Sequence, residues 1–354
     1  MSSINLLQIG RYPTYQVFLV AVLALVVSGI LFPLWIRLVR FRNIGQQVRA
    51  DGPQGHLVKQ GTPTMGGVLI LLVVTGVYLS MGRVDRSGVL ALGAMLACGL
   101  LGFIDDYAKV LKERSLGLTP LAKIAWQVAI AAAVCLLAVN WAGVSSKVLI
   151  PLTGRSLDLA VFSTTLHIGT FVVVVPWLYL LLVSVMLVST SNTVNLTDGL
   201  DGLAAGTVMI VMFAFAAIAY RQNHLEVSLL GAAVAGSCIG FLWYNSYPAD
   251  IFMGDTGSLG LGAAIAAMAI VTKSELLLPL IGGIYVVEGL SVILQIASFK
   301  LTGRRIFRMA PIHHHFEMKG WSETKVMVRF WIVTGIMAGA GFALYFISTF
   351  RVVR

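Results

Sequence analysis

About ten stretches of this 354-residue chain stay apolar for roughly twenty residues, long enough to cross the hydrocarbon core of a bilayer. That repetition constrains the fold more than any other feature. Lipid offers no hydrogen-bond partners, so each crossing segment must satisfy its own backbone, which a helix does. The chain is 58% hydrophobic and only 11% charged, against about 25% charged in soluble domains. The expectation is an all-α polytopic membrane protein, with residues 1–354 forming one integral membrane domain. No soluble domain and no long low-complexity linker interrupts the pattern.

The expected spans are 16–39, 65–81, 88–104, 121–142, 172–189, 199–219, 227–243, 259–272, 276–299 and 328–350. The first run exceeds a signal-peptide core of about 7–15 residues and shows no cleavage site, so it reads as a retained helix. The loop at 143–171 alternates in character and carries Pro151, Gly154 and Gly169 as turn markers, which predicts a short outer hairpin. Small residues recur in the third span (Gly88, Gly93, Gly99, Gly102) and the eighth (Gly257, Gly260, Gly262), where they suit close helix packing.

Ten spans put both termini on one side. The loops after spans one, three and nine hold sixteen Lys and Arg residues, and the other side with the termini holds nine. The positive-inside rule makes the richer side cytoplasmic and both termini periplasmic. The net charge of +10 is then a matter of topology and anionic headgroups rather than nucleic acid. Cys98, Cys135 and Cys238 lie within apolar runs and form no CxxC pair, which predicts packing residues.

Five of the fifteen acidic residues, Asp105, Asp106, Asp198, Asp201 and Asp255, fall at the ends of spans, all on the cytoplasmic side by this assignment. Topology was read from Lys and Arg alone, so the convergence is independent. Asp105 and Asp106 are adjacent and repel unless a cation or proton offsets them. Lys109 follows at i+4 and i+3, on their helix face. In Asn195-Leu-Thr-Asp198-Gly-Leu-Asp201-Gly, Asp198 reads as the cap of the sixth span. Capping does not account for two acids with Asn195 and glycines that permit close approach to a ligand. Phe252-Met-Gly-Asp255-Thr-Gly-Ser opens the eighth span in the same manner. Mg²⁺ takes one or two carboxylates together with phosphates and water, so five aspartates exceed what an ion requires, and some must act as bases or bind other groups.

Pro311-Ile-His313-His314-His315-Phe-Glu lies in the last cytoplasmic loop. Three adjacent histidines cannot face one way, and zinc prefers spaced ligands. Phosphate contact or proton transfer fits a side chain with a pKa of about 6.5. Lys59 and Thr64 precede the second span in a basic, glycine-rich segment that suits an anion, although a snorkelling lysine explains Lys59 as well. Glu288 and Gln295 share a face of the ninth span. Glu288 reads as a structural pairing group and Gln295 as a site candidate.

In order, Asp105-Asp-Tyr-Ala-Lys109, Asn195-Leu-Thr-Asp-Gly-Leu-Asp-Gly-Leu-Ala204 and Phe252-Met-Gly-Asp-Thr-Gly-Ser258 resemble the polyprenyl-phosphate N-acetylhexosamine-1-phosphate transferase superfamily. Gly61-Thr-Pro-Thr-Met-Gly-Gly67 and Pro311-Ile-His-His-His-Phe-Glu317 narrow the resemblance to its phospho-N-acetylmuramoyl-pentapeptide transferases. The resemblance runs from about residue 40 to 330. It implies transfer of phospho-MurNAc-pentapeptide from UDP-MurNAc-pentapeptide to undecaprenyl phosphate. UMP is released at the cytoplasmic face of the bacterial inner membrane, with Mg²⁺ as cofactor. It makes Asp255 the metal ligand and Asp105 and Asp106 the catalytic pair, one acting as base or nucleophile. His313 would contact phosphate or assist catalysis, with His314 and His315 beside it in the substrate site. Lys109, Leu200, Asp201, Asn245 and Phe252 match the uridine pocket. Lys59, Thr64, Asn195, Asp198 and Gln295 match neighbouring polar positions. A homodimer is also implied.

Two other readings compete. A sister enzyme would use UDP-GlcNAc, and the segments at 61–67 and 311–317 oppose it. An ion-coupled transporter would place its acids near the midplane, often in repeated halves, whereas here they gather at one face with no evident internal repeat.

Overall fold

The computed structural model describes residues 12–42, 45, 61–111, 117–169 and 171–352. The helices are α1 (Pro13–Phe41), α2 (Gly66–Ser80), α3 (Arg86–Leu111), α4 (Pro120–Asn140), α5 (Trp177–Thr197), α6 (Leu203–Arg221), α7 (Leu225–Asn245), α8 (Gly254–Val271), α9 (Leu278–Ile281), α10 (Gly283–Thr302), α11 (Ile312–Glu317) and α12 (Glu323–Val352). Between α4 and α5 run β1 (Lys147–Leu149), β2 (Ser156–Asp158), β3 (Ser163–Ile168) and β4 (Phe171–Pro176). Among the described residues, nine helices are long and apolar enough to cross a membrane. The second expected span is α2, fifteen residues long and thus shorter than the roughly twenty of a full crossing.

Two kinds of helix make the bundle. In α1 the buried residues Gln16, Val20, Ala24, Ser28, Phe32, Ile36 and Val39 form one narrow stripe. Phe18, Ile30 and Leu34 on its other faces are exposed, as suits a lipid-facing helix. By contrast, every residue of α8 from Thr256 to Val271 is buried, and α8 packs against α2, α3 and α5. Its Gly- and Ala-rich sequence makes that central position possible. A Cβ on Gly102 of α3 would lie 2.2 Å from the Asp255 carbonyl oxygen, and one on Gly67 of α2 would lie 2.1 Å from the Gly257 nitrogen. Backbone meets backbone at both places, which only glycine allows. Gly93, by contrast, faces open space.

Inter-helix contacts fix the directions. Near its C-terminal end α1 carries Trp35, whose Nε1–H donates to the Met65 carbonyl just before α2. The ends of α3 and α5 and the starts of α6, α8 and α12 meet at that same end of the bundle through Asp106, Asn195, Asp201 and Glu323. The start of α1 contacts the end of α6 through Thr14 and Tyr220. The end of α12 meets the turn between β1 and β2 through Ser348 and the Leu152 amide. Both described ends of the chain therefore lie opposite the aspartates.

Several boundaries differ from the sequence expectation. The outer loop forms two antiparallel hairpins, β1–β2 and β3–β4, rather than one. The fifth helix starts at Trp177 rather than 172, because the β-branched Val172–Val175 run pairs with β3, and the Asn140 side chain bonds Val174 on the free edge. The sixth helix begins at Leu203 rather than 199, after a turn in which Gly202 has φ +75°. Asn195 thus belongs to α5, and Asp198 is the C-terminal cap residue of that helix rather than an N-cap of the next. The eighth helix begins at Gly254, five residues early, which puts Asp255 in its first turn. The expected ninth span breaks at Gly282 into α9 and α10.

Candidate active site

Asp105, Asp106 and Lys109 share the last turns of α3. Asp106 does structural work across a helix boundary. Its Oδ1 accepts the Asp255 N–H at 3.0 Å, and its Oδ2 accepts the Thr256 N–H at 2.9 Å and the Thr256 hydroxyl at 2.7 Å. A side chain of α3 therefore caps α8, satisfying amides that have no partner within their helix and opposing the dipole. Gly254, with φ +76°, makes the approach possible, since a Cβ there would lie 2.7 Å from Asp106 Oδ2 and 3.4 Å from Thr64 Oγ1. Thr64 is buried and sits at this junction.

Capping brings Asp255 beside the α3 pair. One ligand oxygen from each of Asp105, Asp106 and Asp255 lies within 4.8 Å of the others. Asp105 is 0% exposed; its Oδ1 accepts the Leu118 N–H at 2.7 Å. Asp255 Oδ1 accepts from Asn195 Nδ2 at 2.9 Å, and the same amide donates to Ser258 Oγ at 2.8 Å. Two ammonium groups offset the charge. Lys109 Nζ stands 2.7 Å from Asp105 Oδ2, 3.1 Å from Asp255 Oδ2 and 3.6 Å from Asp106 Oδ1. Lys123 Nζ stands 2.9 Å from Asp105 Oδ2 and 2.7 Å from Asp255 Oδ2.

By sequence, Lys123 is only one of the sixteen basic charges of the cytoplasmic side, at the edge of the fourth span. It sits in the first turn of α4, which Thr119 caps and Pro120 opens. A cation there opposes its own helix dipole, and that local conflict is the signal that could have marked it. Thr256 was missed too, because a hydroxyl after Asp255 looks like ordinary helix-start chemistry.

The 198–202 turn lines one side of the cluster. Asp198 accepts the Gly254 N–H. Desolvation holds its carboxyl well above the usual carboxylate range, with Asp255, Asp106 and Asp201 pushing the same way and the Gly254 amide opposing. Leu200 is buried in the core. The Asp201 N–H donates to Glu323 Oε1 and its Oδ2 accepts from the Ala249 N–H. Asn245 ties the same turn to the next loop, accepting from the Gly202 N–H and donating to the Ile251 carbonyl. The Phe252 N–H donates to Pro63 O, and Phe252 O accepts from Gly66 N–H. These residues align the turn, the 246–253 loop and the segment before α2.

On α11 the three histidines diverge. His313 is 0% exposed, and its Nδ1 lies 3.0 Å from Glu288 Oε1. Its buried Nε2 has no hydrogen-bond partner among the described residues and abuts Gly199, where a Cβ would lie 2.5 Å away. The pair thus aims Nε2 at the aspartate turn. His314 Nδ1 lies 2.5 Å from Glu317 Oε2. His315 accepts the Arg308 N–H at 3.0 Å; desolvation, Lys319 and Arg308 hold its pKa below the ordinary histidine value. Gln295 holds the loop before α11, accepting from the Ile306 and Phe307 amides and donating to the Phe307 carbonyl. The structure thus gathers Asp105, Asp106, Asp255, Lys109, Thr64, Asn195 and Asp198 with the His313 edge. It sets Gln295 and His315 in the adjoining loop. Lys59 lies outside the described residues.

The donor set suits a hard cation. All three converging ligands are carboxylate oxygens, with neither sulfur nor imidazole among them. Asp105 Oδ2 and Asp255 Oδ2 each already pair with both ammonium groups, and Asp106 Oδ1 lies at 3.6 Å from one of them.

The family model described as glycosyl transferase family 4 matches residues 89–273, more than half of the chain. The signature described as phospho-N-acetylmuramoyl-pentapeptide-transferase signature 1 matches residues 59–71. Relatives named phospho-N-acetylmuramoyl-pentapeptide-transferase share extended identity. One from Halalkalibacterium halodurans is 47% identical over 319 residues, covering 89% of this chain and 93% of the relative. One from Frankia casuarinae is 45% identical over 353 residues, covering 93% and 97%. One from Bacillus licheniformis is 44% identical over 324 residues, covering 90% and 95%.

Proposed function

The chain belongs to the phospho-N-acetylmuramoyl-pentapeptide-transferase family, and from that premise we propose how its buried aspartate cluster serves the reaction. The enzyme transfers phospho-MurNAc-pentapeptide from UDP-MurNAc-pentapeptide to undecaprenyl phosphate, forming lipid I for peptidoglycan synthesis and releasing UMP. A lipid-phosphate oxygen forms a bond to the phosphorus that carries the sugar, and the bond from that phosphorus to UMP breaks.

The observation that carries this reading is the convergence of Asp105, Asp106 and Asp255 with Lys109 and Lys123 at one end of a membrane bundle. There a polyprenyl tail stays in hydrocarbon while its phosphate reaches the carboxylates. The oxygen-only donors fit Mg²⁺, held by Asp255, and the bound ion would neutralise the diphosphate and the leaving UMP. Asp106 is committed to capping α8, so its part is to fix Asp255 and Thr256. Asp105 presents Oδ2 to the two ammonium groups and is the carboxylate placed to act as base or nucleophile. His313, oriented by Glu288, presents Nε2 toward the 198–199 turn for a phosphate oxygen. Lys109 and Lys123 stabilise charge on phosphate oxygens as transfer proceeds. Asp201, Asn245, Leu200 and Phe252 hold the wall against which the nucleotide packs, with Thr64, Asn195 and Asp198 beside the metal and Gln295, His314 and His315 bordering it. The site faces the cytoplasm of a bacterial inner membrane and both termini face the periplasm, because the loops rich in Lys and Arg share the aspartate end.

The decisive assay measures UMP release by detergent-purified protein with Mg²⁺ and undecaprenyl phosphate, offering UDP-MurNAc-pentapeptide and UDP-GlcNAc separately. Release with the pentapeptide substrate alone is expected. Release with UDP-GlcNAc alone would move the chain to the sister specificity, and none with either from folded protein would refute the transferase reading.

A further inference from the structure

The two ammonium groups do not merely sit near the carboxylates. They bridge the same two oxygens, Asp105 Oδ2 and Asp255 Oδ2, at 2.7 to 3.1 Å. A divalent ion held by Asp255 needs one of those oxygens. We propose that Lys123 is an exchangeable placeholder: its ammonium occupies the cation position on Asp255 in the ligand-free enzyme and transfers to the substrate's phosphate when a divalent cation takes that position. This rests on the reading of the cluster as the metal and diphosphate site.

Lys123 rather than Lys109 is the mobile partner for two reasons. Lys109 is tethered on the helix that carries Asp105 and Asp106, at i+4 and i+3. Lys123 comes from a different helix, α4, and reaches α3 and α8 here through ion pairs to Asp105 and Asp255. It also stands in the first turn of α4, where the dipole opposes a cation. Without an anion facing it, that position is unfavourable for an ammonium. Once Asp255 is occupied by a divalent ion, Lys123 requires another anion, and a phosphate supplies one. Its side chain is 20% exposed, less than the 29% of Lys109, so the distinction rests on the tether and the dipole and not on exposure.

Charge balance favours the exchange. Three carboxylates and two ammonium groups leave one net negative charge in the cluster. A divalent cation arriving with a diphosphate of two negative charges leaves that total unchanged. Either one alone shifts it by two units in a poorly solvated site, which is costly. Lys123 therefore makes the binding of cation and diphosphate mutually dependent, and it acts as a positioning residue for the donor substrate.

The test is a binding titration with Mn²⁺ as the probe, followed by the electron paramagnetic resonance signal of the free ion. Detergent-purified wild type, Lys123→Met and Asp255→Asn would be compared. Lys123→Met removes the competing ammonium and keeps an unbranched side chain one atom shorter. It should bind Mn²⁺ at least about tenfold more tightly than wild type, a difference of about 1.4 kcal/mol, while UMP release falls. A purely structural Lys123 predicts the opposite sign, because a disordered cluster holds metal less well; equal or weaker Mn²⁺ binding by the folded variant overturns the proposal. Asp255→Asn should lose the site. Wild-type affinity in that variant would instead refute the metal assignment itself, which separates the two failures. A second measurement needs no variant: acetylation of Lys123 in the wild-type protein, read by mass spectrometry, should be low without divalent ion and rise when Mn²⁺ saturates the site. Unchanged reactivity at saturation also overturns the exchange.

Discussion

Asp106 shows how one side chain at this site can be catalytic in sequence and architectural in structure. It accepts three hydrogen bonds from the first turn of α8, and Asp255 is placed by them. Asp106→Asn turns one acceptor oxygen into an NH₂ group facing backbone N–H donors. The expected cost is about 1–3 kcal/mol of stability, seen as a lower thermal midpoint in detergent, together with loss of UMP release. An unchanged midpoint with lost activity would return Asp106 to the chemistry. Asp198 gives a pH signature. Its carboxyl is raised in the folded protein, so the folded state holds that proton more tightly than the unfolded chain does. Its contribution is fully present below the unfolded value of about 4 and is lost as pH rises toward the raised folded value. Asp198→Asn should flatten the fall of thermal midpoint with rising pH across that window. Parallel curves for the two proteins would show that Asp198 is not the group responsible.

At the scale of elements, the α3–α8 contact sets the distance between the Asp105–Asp106 pair and Asp255. Gly102 lies one turn before Asp105 and Asp106, and its missing Cβ leaves room for the Asp255 carbonyl 2.2 Å from where that atom would stand. The obstacle is backbone, which no rotamer change removes. Gly102→Ala should therefore separate the two helices, costing roughly 1–3 kcal/mol and depressing UMP release, whereas Gly93→Ala, facing open space, should leave both unaffected. Equal effects of the two substitutions would refute the close-contact argument. The glycine recurrence was visible in the sequence. Which glycine touches backbone was not, because that depends on the rotation of α3 about its axis.

At the scale of the whole molecule, the described ends of α1 and α12 lie opposite the aspartate cluster. Tags appended at either terminus should react with a membrane-impermeant reagent in intact spheroplasts, and a cysteine introduced at Lys325 should not. Labelling of the cysteine instead of the tags would invert the orientation derived from the Lys and Arg distribution. The outer hairpins contribute to the bundle end. Leu152 bonds Ser348 of α12, and Lys273 donates to the Ser145 carbonyl and pairs with Glu275 beside Tyr179.

Read alone, the sequence established the solvent, the approximate spans of most helices and the gathering of aspartates at one end, but not the number of full crossings: ten are expected, and among the described residues nine helices are long enough, with α2 short and the ninth span broken at Gly282. The established properties follow from local hydrophobicity and from the parity of crossings, each legible along the chain. It also marked Asp105, Asp106, Asp198 and Asp255, since acids bordering apolar runs are costly without a purpose. What each one touches emerges from packing. Asp106 caps a helix 149 residues away, Asp198 ends a helix rather than starting one, and Gln295 serves a loop. Lys123 joins the cluster from the start of the fourth span, where by sequence it is one more basic charge of that face. Hydrogen-bond partners and helix rotation arise from packing between distant segments, and no local pattern encodes them.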